Sequence, residues 1–179
     1  CGGLVAPESD HNPWHYKISW NSRNIVLAGK TGAVYKENGE IRKMDYKELF
    51  DPLRTVEIPK IGKYAWYPNR DSLKYLTLYG LNSIPTFIRT TLRHPDFCRG
   101  WKKVVQLNLT DESSIYDTTG MNYHTFLRLH LRQNGIDYPP DLSDTEHQLL
   151  DYLGLFGDEN MDMGVCSAAD VLQHAMEKT

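Results

Sequence analysis

Strand-type and helix-type patterns divide this chain into two parts, and the change of pattern lies near His94 and Pro95. Before it, β-rich runs flank Asn38-Gly39, the strongest short hairpin signal because both residues tolerate positive φ. After it, apolar residues recur at helical spacing, and proline fits the first turn of a helix. Segregated strands and helices predict an α+β fold. We expect a mixed, largely antiparallel sheet with helices on one face, plus a C-terminal all-helical sub-domain.

The predicted domain division follows the same change, with an α+β part over 1–94 and a helical sub-domain over 95–179. Strands are predicted over three further segments of the first part: 55–58, 63–67 and 86–92. The polar segment 111–120 is predicted to be a loop.

Capping patterns mark several helix starts. Asp45 with Glu48, and Ser143 with Glu146, have the three-residue spacing of a capping box. Ser167 precedes another apolar-periodic segment and predicts a last helix.

Composition excludes several classes of protein. The 179 residues suffice for one domain with a sub-domain. No apolar run approaches the roughly 18 residues of a membrane helix, so no membrane span is expected. Twenty Lys+Arg against 23 Asp+Glu give a formal charge of −3, which offers no basic excess for nucleic acid. Three widely spaced cysteines predict neither a disulfide framework nor a cysteine metal site, and favour a reducing cytoplasm.

The chain begins with Cys1 rather than Met, which predicts a fragment or a processed product. A bacterial lipoprotein is one alternative, because its mature chain begins with a lipid-carrying cysteine. The following Leu4-Val5-Ala6-Pro7 is less polar than a flexible tether usually is.

The run 67–72 (YPNRDS) lies between a predicted strand and a predicted helix. A helix start favours anions, and Arg70 there could hold a carboxylate through two parallel hydrogen bonds. The simpler interpretation remains open, in which Asp71 caps the helix and Arg70 is a solvated surface residue.

Strand alternation places Arg89, Thr91 and Arg93 on one face of the predicted strand 86–92. Two arginines on one face repel each other unless anions lie between them. Surface ion pairs with Asp or Glu would satisfy them equally well.

Other chemical motifs are weak or missing. His11 and His15 have the four-residue spacing of helical metal ligands, but Pro13 between them argues against a helix, so no metal site is predicted. The sequence contains no GxGxxG or GxxxxGK(S/T) loop that would bind nucleotide phosphates, and no GxSxG motif of serine hydrolases.

Taken together, these segments resemble the saccharopine dehydrogenase (saccharopine reductase) family. The resemblance rests on seven segments spread over nearly the whole chain: 1–8 (CGGLVAPE), 12–13 (NP), 16–20 (YKISW), 67–72 (YPNRDS), 79–80 (YG), 91–93 (TLR) and 153–158 (LGLFGD). Val5, Thr90 and His94 depart from the Pro, Gly and Tyr that are usual in the family.

The resemblance implies an NAD- or NADP-dependent oxidoreductase of lysine metabolism that acts on a CH–NH bond by hydride transfer. The full enzyme interconverts saccharopine with aminoadipate semialdehyde plus glutamate. By this resemblance, 1–94 would be its substrate-binding part and 95–179 an inserted helical sub-domain. The Rossmann domain that binds the cofactor would lie outside the chain, so the chain alone is expected to be inactive.

The resemblance also implies a substrate site made of six residues: Gly2, Gly3, Asn69, Arg70, Thr91 and Arg93. Arg70 and Arg93 would bind carboxylates of saccharopine, and Cys1 would lie near the reacting centre as the catalytic residue. No cofactor-binding residue and no metal is expected within this chain.

The expected partners are the small-molecule substrate and, in a homodimer, a second copy of the chain. No nucleic acid and no membrane is expected, and the expected location is the cytoplasm. Two alternatives stay open. One is a carboxynorspermidine dehydrogenase-like enzyme, and the other is a non-catalytic ligand-binding or lipoprotein module.

Overall fold

The computed structural model describes residues 4, 6, 8, 10–18 and 21–179. They form two compact units. The first combines Cys1–Tyr16 with Ala28–Lys102, and the second combines Lys17–Leu27 with Lys103–Thr179. The roles expected for 1–94 and 95–179 stay predictions.

The described part contains helices and strands in the following chain order: α1 (Ser22–Val26), β1 (Ala33–Glu37), β2 (Glu40–Met44), α2 (Tyr46–Leu49), β3 (Thr55–Ile58), β4 (Gly62–Pro68), β5 (Arg70–Asp71), α3 (Leu73–Leu78), β6 (Thr90–Arg93), α4 (Pro95–Gln106), β7 (Ile115–Asp117), α5 (Tyr123–Gln133), α6 (Asp144–Tyr152), β8 (Val165–Ser167) and α7 (Ala168–Glu177). Among the described residues, no helix has the length and apolar character needed to cross a bilayer.

Two three-stranded sheets lie in the first unit, with strand orders β2-β1-β5 and β3-β4-β6. All their pairings are antiparallel except that of β1 with β5, where Ala33 lies opposite Arg70 in a parallel register. The α+β class with largely antiparallel strands is therefore confirmed.

Local signals in the sequence produce the predicted turns and caps. Asn38 and Gly39 close the β1–β2 hairpin with φ of +52° and +85°. Glu48 and Glu146 complete the predicted capping boxes at the starts of α2 and α6. Ser167 begins α7 in the same way, with its hydroxyl accepting a hydrogen bond from a backbone N–H of the first turn.

The strand predicted over 86–92 is shorter and later than expected, because β6 begins only at Thr90. The backbone of Arg89 is bonded elsewhere. Its N–H donates to Ser72 Oγ (2.9 Å), and its carbonyl accepts from the Asn69 N–H (2.8 Å). Arg89 therefore does not share a strand face with Arg93.

The loop predicted over 111–120 contains β7, which pairs antiparallel with β8. The segment was predicted to be a loop because it is polar, but it contains a strand. The central residue of that strand, Tyr116, is buried, while its two neighbours are exposed. The Thr118 hydroxyl donates to the Gly164 carbonyl (2.9 Å) beside this pair. The second unit thus contains a short two-stranded ladder in addition to its helices.

Aromatic side chains form much of the core of the first unit. Phe97 and Trp101 stack on one face of α4, with ring centroids 5.6 Å apart, and Trp14 meets both edge-on. Phe50 contacts Trp101 and also Tyr67 of β4. Each such pair contributes about 0.5–1.5 kcal/mol beyond simple burial. The cluster therefore fixes β4 against the start of α4.

The core of the second unit includes a histidine that is fully buried. His130 of α5 contacts the Leu107 carbonyl through Nε2 (2.9 Å) and the Tyr116 hydroxyl through Nδ1 (2.7 Å). A carbonyl only accepts hydrogen bonds, so Nε2 carries the proton and the tyrosine donates to Nδ1. Burial lowers the pKa of His130.

α1 belongs to the second unit through its contacts with α7. Arg23 forms ion pairs with Asp170 (2.8 Å) and Glu112 (2.7 Å), and Ser22 donates a hydrogen bond to Glu177. Ile25 and Val26 are buried. A helix of five residues is far too short to be stable alone, so these contacts hold it in place.

Candidate functional site

The predicted substrate residues of the middle segment lie at a corner where β4 ends. Asn69 continues the chain beyond β4, and its side-chain amide donates to the Thr91 hydroxyl (2.9 Å). Thr91 is only 3 % exposed and lies opposite Tyr67 in the β4–β6 ladder. The structure brings Asn69 and Thr91 together, and their side chains are hydrogen-bonded to each other.

Arg70 follows directly, in a backbone conformation that arginine rarely adopts. Its φ is +57°, in the left-handed region, which costs a non-glycine residue about 1–2 kcal/mol. The ladder of β5 with β1 holds it there, since Ala33 is its partner. The side chain is exposed. Among the described residues, no ion pair or hydrogen bond engages its guanidinium group.

The next two residues use their side chains to hold the corner together. Asp71 accepts a hydrogen bond from the first N–H of α3, that of Leu73 (2.8 Å). Ser72 is completely buried. Its Oγ accepts from the Arg89 N–H (2.9 Å), and its backbone N–H donates to the Val34 carbonyl (2.8 Å). Every polar side chain of 69–72 except Arg70 thus binds the scaffold, which leaves the arginine as the group available to a ligand.

Arg93 lies at the far end of β6, beside a cavity. Its guanidinium carbon is 4.8 Å from the ring centroid of Tyr16 and 5.4 Å from that of Phe97, and Nη1 donates to the Leu92 carbonyl (3.0 Å). Such cation–π contacts orient the planar group on rigid surfaces. The described residues that line the cavity come from three parts of the first unit: Leu4, Asp10, His15, Tyr64, Leu92, Arg93 and His94.

Two titratable groups near Arg93 are held in their neutral forms. Burial raises the pKa of the Tyr67 hydroxyl and of the Cys98 thiol to about 12 each, although the arginine charge acts in the opposite direction. Cys98 is fully buried and has no disulfide partner. Neither group is therefore an acid or base at neutral pH, and Cys98 is a packing residue.

A histidine and carboxylate cluster at the cavity was missed by the sequence interpretation. The rings of His15 and His94 lie in contact, with centroids 3.7 Å apart. His94 Nδ1 is 3.4 Å from an oxygen of Asp96, and His15 Nδ1 contacts Asp10 (2.5 Å). Burial is the largest cause that lowers the pKa of His94, followed by His15.

A turn at Asn12-Pro13 creates this cluster. The Asn12 side chain accepts from the Trp14 N–H (2.9 Å), and the Asn12 carbonyl accepts from the His15 N–H (3.0 Å). The chain then passes His15 with φ of +47°. Pro13 does prevent a helix, as expected, but the turn directs His15 towards His94, a residue that no local spacing links to it. The one signal in the sequence for this cluster was His94 itself, which departs from the residue usual at this position in the family that the sequence resembles.

The two predicted arginines belong to different sheets of the first unit. Arg93 is opposite Ala65 in the β4–β6 ladder, whereas Arg70 belongs to β5 and is opposite Ala33 of β1. Arg70 is not among the residues that line the Arg93 cavity. Cys1, Gly2 and Gly3 lie outside the described residues, and their roles stay predictions.

The fold and these side chains define an α+β chain with an arginine-lined cavity in its first unit and a second arginine held on a strained corner. Comparison with known proteins identifies the family. Residues 1–179 match the family described as the saccharopine dehydrogenase C-terminal domain, and the chain therefore belongs to it.

Three relatives illustrate the similarity. A saccharopine dehydrogenase (NADP(+), L-glutamate-forming) from Schizosaccharomyces pombe is 38% identical over 114 residues, which cover 64% of this chain and 25% of that protein. An alpha-aminoadipic semialdehyde synthase from Arabidopsis thaliana is 43% identical over 100 residues, covering 54% of this chain and 9% of that protein. A mitochondrial alpha-aminoadipic semialdehyde synthase from Bos taurus is 26% identical over 178 residues, covering 90% and 19%.

A solved structure agrees in fold. Apo histidine-tagged saccharopine dehydrogenase (L-Glu forming) from Saccharomyces cerevisiae superposes with a TM-score of 0.80 and 27% identity, covering 99% of this chain and 43% of that one. The chain thus spans a quarter or less of the length of the three relatives compared above, and under half of this solved chain.

Proposed function

We propose that the protein to which this chain contributes is an L-glutamate-forming saccharopine dehydrogenase of lysine metabolism, and that this chain binds the carboxylates of saccharopine. The family membership over residues 1–179 and the printed names of the relatives support the proposal. In this reaction the substrate is a secondary amine that carries three carboxylates, so its site needs fixed cations.

The observation that carries the proposal is the state of Arg70. Its backbone is strained at φ +57°, its neighbours are all bonded to the scaffold, and its own guanidinium contacts no acidic group among the described residues. Strain of this kind persists where the surrounding structure enforces it, and it clusters at ligand sites. A guanidinium that is fixed at its base and open at its tip suits two-point recognition of a carboxylate.

Arg93 supplies the second cation of the proposal. It is half-buried on the rings of Tyr16 and Phe97, so its orientation is restricted before any ligand arrives. A preorganised arginine loses less side-chain entropy when it binds an anion. Asn69, next to Arg70, is hydrogen-bonded to Thr91, which lies two residues before Arg93, and both would offer their remaining hydrogen-bonding capacity to the substrate.

The topology of the described residues differs from that of a dinucleotide-binding fold. The two sheets of the first unit are built from antiparallel pairs apart from a two-residue parallel contact, and no glycine-rich turn links a parallel strand to a helix. We therefore assign the NADP(H) expected from the relatives' names to another part of the protein, and we derive no step through it. The contribution of this chain is to bind and orient the substrate.

The relatives named above refer to saccharopine or aminoadipic semialdehyde, which favours this function over a carboxynorspermidine dehydrogenase-like enzyme or a non-catalytic module. The cytoplasmic location that the cysteine spacing favours and the homodimer remain part of the proposal. The role of Cys1 near the reacting centre also remains part of it.

The test uses the full-length enzyme that contains this chain. Arg70→Ala and Arg93→Ala should each raise KM for saccharopine, by a factor that corresponds to roughly 2–5 kcal/mol for a broken charge pair. Each variant should also lose discrimination against one saccharopine monoamide, in which a single carboxylate is neutral. The pattern of lost discrimination then assigns each arginine to its own carboxylate.

Arg42→Ala is the matched control, because Arg42 is an exposed arginine of the same unit whose ion pair is with Glu40. It should leave KM unchanged. Wild-type kinetics in both the Arg70 and Arg93 variants, or an equal effect of Arg42→Ala, would contradict the proposed site.

A further inference from the structure

We propose that His15, His94 and Asp96 form a binding site for one divalent transition-metal ion of the Zn²⁺ class. Their ligand atoms all lie within 4.8 Å of one another. Two imidazoles with one carboxylate are a donor set that suits Zn²⁺, Co²⁺ or Ni²⁺ rather than Mg²⁺ or Ca²⁺, which prefer oxygen ligands alone. The inference does not rest on the saccharopine proposal, although His15 and His94 line the same cavity as Arg93.

Two of the three donor separations approach those of a formed site, and all three lie within 4.8 Å. Tetrahedral bonds of about 2.0–2.1 Å place neighbouring ligand atoms about 3.3 Å apart. Here His94 Nδ1 is 3.4 Å from Asp96 Oδ2, and His15 Nε2 is 4.0 Å from the same oxygen. The side chains are partly exposed, and rotations that open the ring contact between His15 and His94 would bring all three onto one ion.

The hydrogen bonds around the cluster fix the nitrogen lone pairs that a metal needs. His15 Nδ1 is bonded to the Asp10 carboxylate, which can only accept, so Nδ1 carries a proton, and Nε2 is the ring nitrogen that remains for a metal ion. His94 Nδ1 accepts a long hydrogen bond of 3.3 Å from the Asp96 N–H, so it also carries a lone pair. That N–H belongs to the first turn of α4 and can be satisfied by water.

His94 Nδ1 and His15 Nε2 both lie within 4.0 Å of Asp96 Oδ2, so a metal ion placed between them would coordinate all three atoms. The other oxygen of Asp96 lies 3.5 Å from Arg99 Nε, which leaves Oδ2 for the ion. Asp10 then has the position of the outer carboxylate that orients a metal-bound histidine. The ion would connect the Asp10–His15 turn to the junction of β6 with α4.

The experiment titrates the 179-residue chain with Zn²⁺ by calorimetry and with Co²⁺ by visible absorption. We expect one ion per chain and the intense d–d bands of four-coordinate Co²⁺. His94→Phe keeps the ring contact with His15 but removes the ligand, and Asp96→Asn removes the anionic one. Each should weaken Zn²⁺ binding at least tenfold, and Asp10→Asn should weaken it by about 10–100-fold.

His11→Gln is the matched control, since His11 is exposed in the same segment but is not part of the cluster. It should bind Zn²⁺ as the wild type does, and amide hydrogen exchange should show that Zn²⁺ protects residues 10–16 in both. Circular dichroism confirms that each variant is folded. Wild-type affinity in both His94→Phe and Asp96→Asn, an equal loss in His11→Gln, or six-coordinate Co²⁺ spectra throughout would overturn the proposal. Saccharopine kinetics do not enter any of these readouts.

Discussion

Replacing Gly32 with alanine tests whether the hairpin β1–β2 positions Arg70. Gly32 precedes β1 with φ of +66°, and a Cβ atom there would lie 2.5 Å from the Met44 carbonyl oxygen. That oxygen belongs to the backbone at the end of β2, so it cannot rotate away as a side chain could. The substitution must therefore move β1 or β2, and Ala33, the ladder partner of Arg70, is the next residue.

The magnitude follows from two terms. The left-handed conformation costs an alanine about 1–2 kcal/mol, and an overpacked contact adds about 1–3 kcal/mol. Gly39→Ala is the matched control, because Gly39 also has a positive φ, +85°, but a Cβ atom there would meet nothing within 4 Å. We expect a loss of about 2–5 kcal/mol for Gly32→Ala against about 1–2 kcal/mol for Gly39→Ala.

Urea denaturation followed by tryptophan fluorescence measures these losses, since Trp14, Trp66 and Trp101 belong to the first unit. In the full-length enzyme, Gly32→Ala should also raise KM for saccharopine, and Gly39→Ala should not. Equal destabilisation by the two alanines would show that the clash with the Met44 carbonyl does not contribute to the loss of stability. An unchanged KM in a destabilised Gly32→Ala enzyme would refute the link from the hairpin to Arg70.

Three further measurements test the buried groups. Tyr116→Phe should destabilise the second unit by about 1–3 kcal/mol in calorimetry, because His130 Nδ1 loses its buried hydrogen-bond donor. Tyr152→Phe is the control, since Tyr152 is 37 % exposed, and it should change the stability by less than about 0.5 kcal/mol. Since burial lowers the pKa of His130 below its ordinary value of 6.5, the unfolded chain binds more protons in acid. The free energy of unfolding should therefore decrease as the pH falls below about 6.5, and His130→Gln should reduce that dependence. Cys98 has a pKa of about 12 and no exposure, so it should resist alkylation in the native protein at neutral pH. The partly exposed Cys166 should react faster than Cys98, and equal rates for the two thiols would contradict the described packing.

Features that depend on a few consecutive residues could be predicted from the sequence. The Asn38-Gly39 hairpin needs only two residues that accept positive φ, and the capping box of Ser143 with Glu146 needs only a three-residue spacing. The same reasoning identified the corner at Asn69 and Arg70, where a strand meets a helix.

Features that depend on distant partners could not be predicted in this way. Arg89 continues a β-rich run, yet Ser72 and Asn69 bind its backbone and exclude it from β6. β7 is too short and polar to show a pattern until β8 pairs with it. The contact of His15 with His94 requires the turn after Asn12, which only the folded chain reveals.

The division of the second unit between Lys17–Leu27 and Lys103–Thr179 has a consequence for synthesis on the ribosome. α1 emerges early, but α7, which covers it, is translated last among the described helices. Ile25 and Val26 therefore remain exposed to solvent, or bound by a chaperone, until Ala168–Glu177 leaves the exit tunnel. A nascent chain that is released before α7 has been synthesised would leave this short apolar segment exposed. The burial of α1 therefore depends on the completion of α7.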